Sequence, residues 1–119
     1  MASDRRKHLS QPWFDLVFNG IKTHEGRIND GFWQKLQVGD EFVFWNESGG
    51  EFLVQVVDRE EFSTFENAIN KVGLQNILPP CSEQEMSVKD SVKKVYYEYF
   101  LPEQEIEHGV VLFRFDVKY

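Results

Sequence analysis

Apolar residues between Pro12 and Ile21 fall three and four apart. Trp13, Leu16 and Val17, with Phe14, Phe18 and Ile21, give one broad apolar face, and this spacing predicts a short amphipathic helix over Pro12–Asn19. Pro12 suits the first helical position, where its missing N–H costs nothing, and Gly20 suits the residue just past the end. The pattern then turns polar from Lys22 to Arg27, where a strand should begin. Strict alternation sends Thr23, Glu25 and Arg27 to one face and Lys22, His24 and Gly26 to the other. Lys7 to Ser10 starts an earlier strand. Residues 32–36 (Phe-Trp-Gln-Lys-Leu) read as a single helical turn before the Val38-Gly39-Asp40 turn. Glu41–Asn46 is aromatic and β-branched, and Glu51–Asp58 alternates with Phe52, Val54 and Val56 on one face. The two read as strands of one hairpin joined by Glu47-Ser48-Gly49-Gly50.

Further along, Ser63-Thr64-Phe65-Glu66 reads as a capping box with Ser63 as the cap, opening a helix that ends near Gly73. Leu78-Pro79-Pro80 breaks the chain. A second helix is expected from Val88 to Tyr99, with Val88, Val92, Val95 and Tyr99 sharing a face, and Pro102 closes it. Phe62 starts the connection back to the helices. Val110–Val117 is the last strand, with Val111, Phe113 and Phe115 inward. Strands dominate, helices are insertions, and no βαβ rhythm or internal repeat occurs. The expectation is an α+β domain: a mixed, twisted sheet of five to seven strands curled into a pseudobarrel, with two or three inserted short helices and the Pro12–Asn19 helix at one open end. Residues 1–6 are expected to be a flexible N-terminal tail and residues 7–119 a single domain.

Composition narrows the class. A chain of 119 residues with 41% hydrophobic and 15% aromatic content is suited to one packed core. No apolar run approaches the roughly 20 residues that span a bilayer, and basic Arg5-Arg6-Lys7 has no apolar stretch after it, so neither a membrane segment nor a secretory signal is expected. The single cysteine, Cys81, cannot form an internal disulfide, which favours a reducing, cytoplasmic compartment. Net charge is −7, which argues against coating nucleic acid by bulk electrostatics, and DNA is not expected as a partner. The charge is uneven: residues 1–40 hold six cationic and five acidic side chains, leaving the excess of acid to the remainder. An anionic ligand would be received by the N-terminal third. The acidic remainder favours a small or local ligand over extended RNA.

Chemistry concentrates in Lys22, Thr23, Glu25 and Arg27. Opposite charges two apart on one strand face are not needed for folding, although a plain surface salt bridge, worth about 0–1 kcal/mol, is the simple alternative. As a site, Lys22 or Arg27 would receive a phosphate or a base carbonyl, and Glu25 would accept from a base's amino edge. Gln11 lies beside this segment in sequence, and Trp45 or Trp13 offers a ring on which a base could stack, with core burial the favoured reading for Trp13. His8, His24 and His108 are scattered without ligand spacing, so no metal is expected, and no cofactor-binding motif occurs. Nucleotide-triphosphate and dinucleotide loops are absent, as is a G-x-S-x-G elbow. The acids from Glu83 to Glu85 and from Glu103 to Glu107 read as solvated surface.

The run "LSQPWFDLVFNGIKTHEGR" resembles the opening motif of the ASCH domain family, relatives of the PUA-like RNA-binding fold, whose signature is a hydrophobic helix followed by G-x-K-T-x-E-x-R. "LQVGDEFVFWN", "FSTFENAI" and "EHGVVLFRF" follow in the family's order, and the resemblance covers most of residues 7–119. It implies a PUA-like pseudobarrel and a ligand cleft between the first helix and the barrel. Some small ASCH proteins remove the acetyl group from acetylcytidine with a lysine at the position of Lys22, a threonine at that of Glu25 and a glutamate near Asn76. Here Glu25 and Asn76 depart from that set, and a carboxylate at position 25 should keep Lys22 charged rather than free to act as a base.

Three functions stay open at this stage. One is binding of RNA or a modified nucleoside on Gln11, Lys22, Thr23, Glu25, Arg27 and Trp45. The second is a small nucleoside-directed hydrolase, acetylcytidine amidohydrolase-like or ribonuclease, with Lys22 and Glu25 catalytic. The third is a protein-interaction module of the coactivator type, which a stand-alone domain disfavours. A monomer is expected.

Overall fold

In a computed structural model, residues 5–118 are described. The order along the chain is β1 (Arg6–His8), α1 (Trp13–Phe18), β2 (His24–Ile28), α2 (Gly31–Lys35), β3 (Glu41–Trp45), β4 (Glu51–Phe62), α3 (Phe65–Val72), α4 (Leu74–Ile77), α5 (Pro79–Glu83), α6 (Val88–Ser91), a π-helical segment Val92–Tyr96, α7 (Tyr97–Tyr99), α8 (Pro102–His108) and β5 (Val110–Val117). Five strands form one sheet in the order β1-β3-β4-β5-β2. Only β1 against β3 is parallel; the other pairs are antiparallel. The sheet is mixed and curls into a half-barrel, which is the α+β pseudobarrel that the strand pattern and the family resemblance imply. No helix among the described residues is long and apolar enough to cross a membrane.

Two apolar clusters hold it. The concave side of the sheet packs Phe42, Phe44, Phe52, Val54, Val56, Val111 and Phe113 with Phe14 and Val17 of α1. The second cluster joins Ile28 of β2 and Val110 and Leu112 of β5 to Phe65, Ile69, Ile77, Leu78, Val92 and Tyr96 of the helices. β5 is therefore buried on both faces over its first four residues, the reason its early sequence, Val-Val-Leu-Phe, does not alternate with polar residues. Trp13 packs against both clusters and sits at their junction.

Several local expectations are revised. The hairpin partner is longer than Glu51–Asp58: β4 continues to Phe62 because a register shift at Val56/Asp58 lets it pair with all of β5. The first strand begins at Arg6, so the proposed tail is shortened, and its residues 1–4 lie outside the described part. Thr64, not Ser63, caps α3, its hydroxyl accepting from the Asn67 amide at 3.0 Å. Pro79 and Pro102 follow the ends of α4 and α7 and also start α5 and α8, since proline suits a first helical turn as well as it stops a preceding one. The helices are accordingly shorter and more numerous than two or three insertions. The π turn resets the face of the long helical run, burying Val92 and Tyr96 while Tyr99 is 60% exposed.

Glu105 is the sharpest revision. It is buried, one carboxylate oxygen accepting from the Phe65 amide at 2.7 Å and the other from the Tyr97 hydroxyl at 2.8 Å. It closes the N-terminus of α3 from α8, where its negative charge also complements the helix dipole. Glu105→Ala should lower the unfolding free energy by about 2–3 kcal/mol, because two donors are left unpaired. Urea denaturation monitored by tryptophan fluorescence checks this; a loss within error of zero would remove the cap from the account.

Candidate functional site

The chain leaves α1 through Asn19 and Gly20, whose φ of +75° turns it back toward the sheet. Residues 21–23 are not yet strand; β2 begins only at His24. This removes the objection from alternation. Lys22 and Glu25 are three apart across the entry to β2, and Lys22 Nζ reaches Glu25 Oε1 at 3.3 Å. Glu25 and Arg27, two apart on one strand face, meet directly: Arg27 Nε donates to Glu25 Oε2 at 2.8 Å, and Nη2 forms an ion pair with the same oxygen at 2.8 Å.

The trio is buried unequally. The Lys22 side chain is 2% exposed, Glu25 9% and Arg27 19%. Lys22 Nζ donates to the carbonyl of Ile77 and, at 2.6 Å, to that of His24, so with Glu25 its three hydrogens have three acceptors. It ties the end of α4 to the start of β2. Arg27 stacks on Trp33 of α2, 4.6 Å from the ring centre. Burial pulls the Lys22 ammonium below its ordinary pKa, with Glu25 opposing and Arg27 adding to the fall. The expectation that Glu25 would dominate is thus revised: desolvation outweighs it. Burial alone would raise Glu25, but the charges and hydrogen bonds of Lys22 and Arg27 prevail and hold its carboxyl below the ordinary value.

Above the trio is a cavity of about 320 Å³. Its walls come from both edges of the sheet, His8, Leu9 and Ser10 at the end of β1 and Glu25 to Arg27 of β2, and from Trp13, Leu78 and the helical run carrying Val95, Tyr96, Tyr99 and Phe100. The cavity therefore occupies the seam where the half-barrel fails to close. Tyr96 is held flat on Phe65, ring centres 3.9 Å apart and 7° from parallel, and its buried hydroxyl has no hydrogen-bond partner among the described residues. Burial and then the charge of Glu25 push that phenol well above its ordinary pKa, so it stays protonated. Gly26 makes room for it, since a Cβ there would stand 3.0 Å from the Tyr96 oxygen.

The sequence-derived site residues divide. Lys22, Glu25 and Arg27 come together at the cavity. Thr23 turns away: its hydroxyl meets His24 Nδ1 at 2.8 Å, beside a separate concavity that shares only Lys22 and Glu25 with the first. Gln11 is exposed and accepts from the Asp15 amide at 3.2 Å, helping to start α1. Trp45 lies edge-on to His8 at 4.9 Å. Neither Gln11 nor Trp45 is among the residues lining the cavity. Trp13, given to the core on sequence, lines it and stands 5.6 Å from Lys22 Nζ. The sequence offers Tyr96, Tyr97 and Tyr99 as tyrosines split between core and rim, one hydroxyl facing the cleft; nothing local singles out Tyr96, because its place depends on the π turn and on Gly26 seventy residues earlier. No group of three His, Cys, Asp or Glu side chains that could hold a metal ion occurs among the described residues.

The family model of the ASCH domain matches residues 8–117. The crystal structure of the hypothetical protein PH0355 superposes with a TM-score of 0.79 at 28% identity, over 94% of this chain and 96% of that one. The solution NMR structure of protein PF0455 from Pyrococcus furiosus gives 0.74 at 26% identity, over 96% and 97%. Protein EF3133 from Enterococcus faecalis V583, at 14% identity and a TM-score of 0.57 over 87% of this chain and 68% of that one, shares the fold alone. No curated protein matches the chain significantly.

The depressed Glu25 pKa has a definite sign. The unfolded state takes up the proton first, so the stability from ionised Glu25 is present above about pH 4.5 and is lost as pH falls through the lower folded value. Thermal melts from pH 7 to pH 3 should show a shallower acid limb for Glu25→Gln than for the unmodified chain. At pH 7 the same substitution should cost about 3–5 kcal/mol, since it leaves buried Lys22 and partly buried Arg27 without their counter-charge. Parallel acid limbs would show that the Glu25 pKa is the same in the folded and unfolded chain.

Proposed function

The chain belongs to the ASCH domain family, whose PUA-like fold is associated with RNA binding, and from that premise we propose that it binds RNA or a modified nucleoside with one base seated in the seam cavity. The observation that carries this reading is a Lys22–Glu25–Arg27 cluster, its lysine and carboxylate buried and Arg27 partly exposed, beneath a largely aromatic and aliphatic cavity. Buried ion pairs are a poor way to stabilise a fold, and hydrophobic replacements often match or better them. A preorganised guanidinium and carboxylate at the floor of an apolar cavity suit the polar edge of a flat heterocycle. Of the three, Arg27 is the most accessible and is the one positioned to donate to a base carbonyl. Trp13 and Phe100 supply apolar faces for the ring, and the unpaired Tyr96 hydroxyl is a donor in want of an acceptor. About 320 Å³ is at the small end of ligand sites, which fits a single base.

A hydrolase is the weaker reading. Lys22 Nζ is buried and committed to the His24 and Ile77 carbonyls and to its ion pair with Glu25, and the Asn76 side-chain amide donates to the Val72 carbonyl at 2.7 Å, with no carboxylate in its place.

Calorimetric titration with a nucleoside panel and short oligoribonucleotides tests the proposal. Arg27→Ala should weaken the preferred ligand by about 1–3 kcal/mol. Tyr96→Phe keeps the stack on Phe65 but removes an unpaired buried oxygen, so it should raise fold stability by about 1 kcal/mol while weakening binding by a similar amount. No binding by any member of the panel would refute the reading. Chromatography of acetylcytidine and single-stranded RNA after incubation should return them intact; a product lost in Lys22→Ala would move the protein to the hydrolase reading.

A further inference from the structure

A second concavity of about 460 Å³ is lined by Arg5, Lys7, Lys35, Phe32 and Asp40 among others. β1 separates its basic residues by face. On one side Arg6 pairs with Glu51 and His8 Nε2 hydrogen-bonds Glu47. Arg5 and Lys7, on the other, meet no acid within ion-pairing distance among the described residues, and neither does Lys35; Arg5 donates to the Glu41 carbonyl at 3.3 Å. The one acid of the concavity, Asp40, already accepts from the Gln37 amide at 2.8 Å. In a chain with 20 acidic and 13 basic side chains, three cations facing this one acid are a local reversal of sign.

This patch is connected to the seam cavity. Lys7 Nζ stands 4.2 Å over the Phe32 ring, Phe32 meets Trp33 edge to face at 5.0 Å, and Arg27 stacks on Trp33 at 4.6 Å. Lys7 and Arg27 are thus joined along α2 by two aromatic rings. The ends of that chain of contacts lie no more than about 14 Å apart, roughly two nucleotide steps at the 6–7 Å phosphate spacing of a single strand. Resting on the reading of the seam cavity as a base site, we infer that Arg5, Lys7 and Lys35 form a second, phosphate-binding site for the backbone flanking that base. The ligand is then a short single-stranded oligonucleotide, not a free nucleoside. The acidic remainder of the surface limits the contact to a few phosphates.

The test compares a nucleoside with its trinucleotide by calorimetric titration, and the trinucleotide in a salt series by fluorescence anisotropy. It uses the full chain and Lys7→Gln/Lys35→Gln, which alters no residue of the seam. The trinucleotide should bind more tightly than the nucleoside. The double variant should lose about 25-fold of trinucleotide affinity at 0.1 M salt and about 1.4 from the slope of log K against log salt, at roughly 0.7 per phosphate contact. Its nucleoside affinity should be unchanged. A trinucleotide no tighter than the nucleoside, or an equal slope in both proteins, overturns the patch and leaves the cavity reading standing. A trinucleotide that binds with the full slope while no nucleoside binds refutes the cavity and keeps the patch; binding of neither refutes both. A polyglutamate peptide of equal charge competing as well as the trinucleotide would reassign the patch to an acidic protein partner and overturn the inference.

Discussion

The ammonium of Lys22 has to be somewhere, and its position determines how the two halves of the fold meet. It is drawn out of water between the end of α4 and the start of β2, held by the carbonyls of Ile77 and His24 and by Glu25. Without those three acceptors the desolvation of a lysine at this depth would be prohibitive. With them, the helical layer is fastened to the edge strand at a point where the sheet offers no hydrogen-bonding neighbour. Arg27 completes the arrangement by carrying the second oxygen of Glu25 outward onto Trp33. The seam between β1 and β2 can therefore stay open, because charges and a helical roof stabilise its walls in place of a strand ladder.

That roof is positioned by another long-range contact. Glu105 on α8 accepts from the first amide of α3, and Tyr97 donates to the same carboxylate. α3, α7 and α8 are thereby locked in one layer, and Phe65 at the start of α3 becomes the plate on which Tyr96 stacks. The π turn lies one residue before Tyr97, so the segment that is fixed and the segment that is irregular are adjacent. An irregular turn persists only where its surroundings hold it, and here the anchoring comes from Glu105 and the stack on Phe65.

What was legible in the sequence follows the range of the interactions. Alternation over residues 41–58 and 110–117 declared the sheet, since a half-buried strand writes its two faces into neighbouring residues. The turn glycine after α1 was equally plain. The proline at position 102 was read as a stop because the same ring that ends one helix suits the first turn of the next, and nothing local separates the two. Glu105 looked like solvated surface because its partners lie in other elements, Phe65 forty residues away. Lys22, Glu25 and Arg27 were found from residue type and spacing, yet their meeting depended on where β2 begins, which alternation alone misplaces. Trp13 lines the seam while still packing on both clusters, and Trp45 does not: each is an aromatic at an element end, and only the curl of the sheet decides which one borders the seam.

The charge asymmetry of the chain bears on ligand length. An acidic surface repels a polyanion over a distance of the Debye length, about 8 Å at physiological salt. A cationic strip no longer than about 14 Å, from Lys7 to Arg27, can offset that repulsion for the nucleotides lying on it and for few beyond. Each further phosphate would lie over the acidic remainder and gain no counterion release from the protein. Affinity should then rise with oligonucleotide length only up to the span of the strip and fall beyond it. On the proposed reading, such a surface would select ends, loops and other short unpaired segments by charge, before any base is read in the seam.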